Sequence, residues 1–184
     1  MHKLQPIEIK NLVSQLNLPK TDDLLRQMFA DAVFTKGNPS LLLNPSDKVT
    51  FITLNSGNTS FFDKKVKALG NYPIEKVTLQ NINKQTKQLG KLKNKKLVVA
   101  YFNINQGISG KVRTNQSYLN LLEKLNKHNQ ITLIVFGSPY ALPKFKSVKN
   151  ILLMNEDNYI TQSLAPNLLL GNTQAKSISQ SIAQ

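Results

Sequence analysis

A short apolar run late in the chain constrains the fold more than any other stretch. Residues 131–136 read ITLIVF and are rich in β-branched side chains. A strand that is apolar on both faces is typical of a parallel sheet covered by helices on each side. Gly137, Ser138 and Pro139 follow, and this permissive glycine and fixed-φ proline predict a turn at the strand's carboxyl end. Open α/β sheets bind ligands at that end, so functional residues are expected there.

Strand patterns and helix patterns alternate regularly from residue 48 onward. The predicted strands are 49–55, 75–79, 97–102, 131–136 and 151–154, and the predicted helices are 61–69, 84–92, 117–127 (with Ser117 as the cap) and 159–170. Repeated βα units of this length imply a parallel sheet with right-handed crossovers. We therefore predict an α/β fold, a flavodoxin-like three-layer sandwich whose mainly parallel five-stranded sheet has the order 2-1-3-4-5.

The sequence pattern of the N-terminal part of the chain indicates helices and no strands. Residues 6–17 have helical apolar spacing, and Thr21 is the expected N-cap of a second helix whose apolar stripe continues to Val33. Gly37 stands where a helix C-cap belongs. The predicted division is an N-terminal helical linker segment at 1–46, the α/β sandwich domain at 47–172 and a C-terminal tail at 173–184.

Composition restricts the classes of function. The absence of cysteine excludes disulfides and thiolate chemistry, and no apolar run is long enough for a membrane span. The formal charge of +14 suits nucleic acid, an anionic membrane or an acidic partner. The lysines are spread through helices and turns, most densely at 84–96, without an aromatic stacking platform. We expect them to solvate helix faces without specific nucleic-acid binding; the competing hypothesis is a basic protein that binds nucleic acid through its lysine-rich helix.

The last third of the chain carries a family resemblance. The order is the segment FGSPYAL at 136–142, an apolar strand at 150–154, the segment NEDNYITQ at 155–162, and a helix that ends in LLLG at 168–171. This order resembles the C-terminal α/β domain of glycoside hydrolase family 3, of the bacterial β-N-acetylhexosaminidase and β-glucosidase types. The resemblance covers about residues 22–171, and residues 172–178 depart from the family pattern.

The resemblance implies a second domain without its catalytic barrel. In the family's glucosidases, the acid/base Glu lies in the loop that corresponds to residues 103–115, which contain no acid here; no Asp or Glu occurs between Glu75 and Glu123. The hexosaminidase branch is expected to use a His on a barrel loop instead. We therefore expect an inactive chain that packs on a β/α barrel and lines a carbohydrate-binding cleft. The resemblance also implies a periplasmic or extracellular location, with an export signal outside this chain.

The resemblance and the strand ends together suggest candidates that face substrate or barrel. These are Asn103, Asn105, Arg113, Ser138, Tyr140, Glu156 and Asp157. Some of them have an alternative structural role: Asp157 or Asn158 could cap the helix that begins at Tyr159, with Glu156 near its dipole, and Tyr140 could stack on a sugar or pack beneath a domain interface.

A second functional hypothesis rests on the loop after the first predicted strand. Ser56, Gly57, Asn58 and Thr59 are similar to the phosphate loop of flavodoxins, which binds the phosphate of FMN at a helix N-terminus. Against it, the chain has no Trp, and the same residue types are common in ordinary turns. The alternative is thus a free-standing module for a phosphate-bearing ligand, whereas the main hypothesis requires no cofactor and no metal.

Overall fold

A seven-stranded mixed sheet with helices on both faces forms the fold. The computed structural model describes residues 19–37, 48–55, 57, 60–104, 112–169 and 176–177. The helices are α1 (Pro19–Asp31), α2 (Ser60–Leu69), α3 (Ile82–Leu89), α4 (Gln116–Asn126), a 3₁₀ helix (Pro139–Phe145) and α5 (Tyr159–Leu169). The strands are β1 (Phe34–Lys36), β2 (Val49–Leu54), β3 (Ile74–Val77), β4 (Lys96–Ile104), β5 (Gln130–Gly137), β6 (Asn150–Leu153) and β7 (Lys176–Ser177).

The strand order is β3-β2-β4-β5-β6-β1-β7. The five strands β2 to β6 are parallel and have the predicted 2-1-3-4-5 arrangement. The predicted count of five strands is wrong, because β1 pairs antiparallel with β6 and β7 pairs parallel with β1. These two strands have three and two residues, which is too short for a recognisable apolar period.

The N-terminal segment differs from the predicted run of helices. The second helix begins at Pro19 rather than after a Thr21 cap, and it ends at Asp31. Gly37 follows strand β1 rather than a helix, so its predicted role as a C-cap is wrong. Its φ of 88° is in the left-handed region, and a Cβ there would lie 2.5 Å from the carbonyl oxygen of Lys149. The predicted helix at 6–17 lies outside the described residues.

Two hydrophobic layers hold the helices against the sheet. On one face, Leu121 and Leu125 of α4 pack with side chains of α3 and the 3₁₀ helix. On the other face, Phe62 of α2 packs with side chains of α5. Its ring makes edge contacts with Phe102 and Phe136, which stack on each other with centroids 4.5 Å apart. These layers keep β4 and β5 in the middle of the sheet and fix where their carboxyl ends lie.

The cap of α4 is Asn115 and not the predicted Ser117. The Asn115 side-chain oxygen accepts a hydrogen bond from the Ser117 backbone N–H at 2.9 Å. The Asn115 backbone N–H itself donates to the hydroxyl of buried Tyr101 at 3.0 Å. The helix start is therefore held to the core of β4 through a side chain that is distant in sequence.

Candidate functional site

Four central strands end in residues with left-handed backbone conformations. Asn55 follows β2, Asn103 lies near the end of β4, Gly137 ends β5 and Asn155 follows β6, with φ values of 57°, 56°, 136° and 62°. Asparagine tolerates the left-handed region better than most side chains, and glycine adopts it freely. We call these four residues and the loops that follow them the carboxyl edge.

A bulge at the end of β4 shapes the middle of this edge. Tyr101 pairs with Val135, but Ile104 pairs with Gly137, so β4 contains one more residue than β5 over this span. The Ile104 carbonyl oxygen accepts a hydrogen bond from the Ser138 N–H at 2.7 Å. A Cβ on Gly137 would lie 2.0 Å from that oxygen, so only glycine fits there.

Asp157 joins the end of β4 to helix α5. Its carboxylate accepts hydrogen bonds from the Asn103 backbone N–H at 3.1 Å and from the Gln162 side chain at 2.7 Å. The Asn103 side chain donates to the carbonyl of Asn55 at 3.2 Å, and the Asn55 side chain donates to the carbonyl of Phe102 at 3.0 Å. A network of amides and one carboxylate thus links the ends of β2, β4 and β6.

Asn158 is the residue that caps α5. Its side-chain oxygen accepts from the backbone N–H groups of Ile160 and Thr161, both at 3.0 Å. Its side-chain amide donates to the exposed carboxylate of Glu156 at 3.0 Å. Of the two capping alternatives left open by the sequence, Asn158 is therefore the cap, while Asp157 binds across to β4.

Four of the seven candidate residues line a single cavity at the carboxyl edge. This open cavity of about 380 Å³ is lined by Asn103, Ile104, Gly137, Ser138, Asn155, Glu156 and Asp157. Its polar groups are amides, a hydroxyl and two carboxylates, which are groups that could bind sugar hydroxyls. Arg113 and Tyr140 are exposed and do not line it, and Asn105 lies outside the described residues.

Exposed apolar side chains surround this edge. Phe61, Leu79, Tyr140 and Tyr159 are 43%, 55%, 69% and 42% exposed, and each lies in the segment that follows one of the parallel strands β2, β3, β5 and β6. We call these four residues the apolar rim. The sequence predicted only Tyr140; the others could have been found by looking for large apolar residues just after strand ends.

Two members of the apolar rim contact each other. The rings of Phe61 and Tyr159 have centroids 5.9 Å apart. The Tyr159 hydroxyl donates to the Asp22 carboxylate of α1 at 3.2 Å. Partial burial first, and the neighbouring Asp22 carboxylate second, raise the pKa of Tyr159, while Arg26 opposes the shift. The raised pKa keeps the Tyr159 phenol neutral, and its hydroxyl links the start of α5 to α1.

A second cavity, of about 320 Å³, opens beside the loop that suggested FMN binding. Its lining includes Gly57, Leu79 and the buried Tyr118, whose hydroxyl has a pKa raised by burial and lowered in part by the backbone of Asn55 and Leu79. The other predicted phosphate-loop residues, Ser56, Asn58 and Thr59, lie outside the described residues. The FMN hypothesis therefore stays a prediction.

The described residues also bear on metal sites and membrane spans. No three His, Cys, Asp or Glu side chains among them are grouped as metal ligands would be. None of the helices seen in this part of the chain has the length and apolarity to span a membrane.

Comparison with known proteins supports the fold. No family model and no curated protein matches the sequence. Among solved structures, a glycoside hydrolase family 3 β-N-acetylglucosaminidase from Paenibacillus sp. str. FPU-7 is similar with a TM-score of 0.63 at 11% identity, over 95% of this chain and 34% of that chain. A β-glucosidase from Listeria innocua, in complex with isofagomine, gives 0.66 at 10% identity, over 91% and 27%.

A fungal multi-domain family 3 β-N-acetylglucosaminidase is also similar, with a TM-score of 0.65 at 11% identity, over 93% of this chain and 20% of that chain. The chain thus spans about a third or less of the length of these structures. The predicted resemblance to a part of family 3 glycoside hydrolases is confirmed at the level of the fold.

Proposed function

We propose that this chain is the non-catalytic second domain of a family 3 glycoside hydrolase-like protein. In this proposal the carboxyl edge packs on a β/α barrel and forms one wall of a carbohydrate-binding cleft. The barrel belongs to the same parent protein or to a separate chain. The proposed domain covers residues 47–172, with residues 1–46 as the linker segment and 173–184 as a tail, although β1 of the linker segment extends the sheet of the domain.

The apolar rim is the observation that carries this proposal. Seven large apolar side chains are exposed in the described part of the chain, and four of them form the apolar rim. A fifth, Phe34, pairs with Leu153 near the carboxyl end of β6. Large apolar side chains gathered at one edge of a domain mark a protein interface, whereas scattered ones carry no such meaning. Aromatic residues are also enriched at interfaces, because their rings bury large areas.

The polar cavity inside this rim suits the wall of a sugar site. Asn103, Ser138 and Glu156 present amide, hydroxyl and carboxylate groups to it. The Asp157 carboxylate already accepts two hydrogen bonds within the domain, so Asp157 positions Asn103 rather than taking part in chemistry. We propose Arg113 and Asn105 as further contacts to the barrel or sugar, because the family resemblance places them in the same long loop.

The proposal assigns no catalytic residue to this chain. Glycosidases need two carboxyl groups, or a substituted pair, on either side of the scissile bond. The loop at 103–115 contains no acid, and Glu156 and Asp157 are neighbours in one turn rather than two groups on opposite sides of a cleft. Any hydrolytic chemistry would therefore come from the barrel.

Titration with a barrel protein tests the proposal. The purified chain would be titrated calorimetrically with each family 3-type barrel polypeptide encoded by its source organism. We expect saturable binding that Tyr140→Ala with Tyr159→Ala weakens by about tenfold or more, because truncated aromatic anchors at interfaces often cost about 1 kcal/mol or more each. Lys91→Ala, at an exposed position in the connection between α3 and β4 at the opposite end of the sheet, is the control and should bind like the parent chain. Equal binding by both variants, or no binding to any barrel, would contradict the proposal.

A further inference from the structure

The edge of the sheet at the amino ends of the strands is rich in lysine. In parallel βα units the helices return the chain to the amino ends of the strands, so the connections α3–β4, α4–β5 and 3₁₀–β6 all lie at that end. Six exposed lysines occupy these connections, namely Lys91, Lys93, Lys95, Lys127, Lys146 and Lys149. We call these six residues the lysine edge.

Hydrogen bonds from two asparagine side chains hold the three connections side by side. Asn129 donates to the carbonyl oxygen of Leu92 at 3.0 Å, and its own oxygen accepts from the Lys95 backbone N–H at 3.0 Å. Asn126 donates to the carbonyl of Ser147 at 2.9 Å. The lysines are therefore carried by one continuous, internally bonded surface rather than by independent loops.

This surface carries little negative charge. The connections themselves contain no Asp or Glu, and none of the six lysines forms an ion pair with another described residue. The nearest acidic group in sequence is Glu123, one helical turn before Lys127. Cations near helix C-termini are favourable, but that effect is limited to the last turn and does not require lysines on every connection. Like charges held together this way repel one another unless an anionic partner neutralises them.

We propose that the lysine edge adsorbs the domain onto an anionic phospholipid bilayer. All six charges are lysines, which interact as point charges and lack the planar fork that arginine uses for specific phosphate or base contacts. The seven large exposed apolar side chains of the described residues are all outside these connections, so the lysine edge offers neither a base-stacking platform nor an inserting wedge. Such a surface suits a planar array of phosphates better than a nucleic-acid groove.

This inference is independent of the proposed barrel contact, but the two are compatible. The lysine edge and the apolar rim lie at opposite ends of the sheet, so a chain adsorbed through its lysines would direct the apolar rim away from the bilayer. A negative result for vesicle binding would therefore leave the proposed barrel contact untouched, and a negative result for barrel binding would leave the lysine edge untouched.

Vesicle sedimentation tests the inference. The full chain would be mixed at about 0.1 M salt with vesicles of phosphatidylcholine alone or with about a third phosphatidylglycerol. We expect binding only to the anionic vesicles, and its loss near 1 M salt, where the Debye length falls to about 3 Å. Each lysine near an anionic surface contributes about 1 kcal/mol, so replacing Lys91, Lys127 and Lys149 by Gln should lower the partition coefficient on the order of a hundredfold.

The matched control removes the same charge elsewhere. Lys64→Gln, Lys84→Gln and Arg26→Gln together replace three exposed cations outside the lysine edge and should retain most of the binding. Circular dichroism of both variants would verify that their helices are intact. Equal losses in the two variants would overturn the inference, because binding would then depend on net charge and not on the lysine edge. Absence of binding to anionic vesicles would also overturn it. Tighter binding to duplex DNA than to vesicles, per accessible phosphate, would instead assign the surface to nucleic acid.

Discussion

Replacement of Gly137 by Ala should be among the most damaging single changes in this chain. Three costs add at this position. Alanine at a φ of 136° costs about 1–3 kcal/mol. Its Cβ would start 2.0 Å from the Ile104 oxygen and must move about 1 Å to reach the 3.0 Å below which real Cβ contacts are essentially never seen, a strain of about 1–3 kcal/mol. This movement separates Ile104 from Ser138 and loses a hydrogen bond of about 1 kcal/mol.

The total is roughly 3–7 kcal/mol, which is a large part of the roughly 5–15 kcal/mol of a typical domain. Urea denaturation followed by far-ultraviolet circular dichroism would measure the change in the free energy of unfolding. Gly57→Ala is the control: Gly57 has no positive φ, and its Cβ would lie 3.3 Å from the Asn103 side-chain nitrogen, so a change of about 0.5 kcal/mol is expected. A loss below about 1 kcal/mol for Gly137→Ala would refute the reasoning.

Four further predictions follow from the site and the core. Asp157→Ala should lower the free energy of unfolding by about 2–4 kcal/mol in urea, because two hydrogen bonds to a carboxylate are lost; an unchanged stability would show that Asp157 does not bridge β4 and α5. The purified chain should not hydrolyse aryl β-glucosides or β-N-acetylglucosaminides, and turnover abolished by changing one carboxylate would disprove this. Titration with micromolar FMN should show no saturable quenching of flavin fluorescence; quenching that Thr59→Ala removes would favour the phosphate-loop hypothesis. Burial raises the pKa of Tyr101 and of Tyr118, so folding favours the neutral phenols: their contribution to stability is present below about pH 10 and should be lost as pH rises above it, which urea midpoints from about pH 9 upward would reveal.

The central sheet was predictable because most of its strands are buried on both faces and must therefore be apolar at nearly every position. β2, β4, β5 and β6 are buried on both faces along most of their length, and a continuous apolar run such as residues 131–136 is typical of such a strand in a chain of this length. The order of the five parallel strands also followed, since right-handed crossovers leave few topologies.

The edge strands and the rim could not be predicted in this way. β1 has only three residues and directly follows the apolar stripe of helix α1. Its pairing with β6 depends on a contact across more than a hundred positions of sequence, which no local pattern encodes. In the candidate site, Asn103, Ser138, Glu156 and Asp157 were recognisable by their place after strands. The role of Asp157 as a bridge was not, because it depends on the backbone N–H of Asn103, which lies within the bulge of β4. The sequence places Phe61 and Tyr159 simply at helix starts, and only the fold shows that they are exposed together.

The pairing of β1 with β6 also affects the order of events during folding. β6 is apolar from Ile151 to Leu153, and without β1 its outer backbone groups would form an open edge able to pair with another chain. Phe34 is synthesised before Leu153, so β1 leaves the ribosome before the strand with which it pairs. Closing such a long loop is slow relative to forming local βα units. Any chain in which β1 has not docked therefore exposes the edge of β6, and the docking of β1 removes that edge from pairing with other chains.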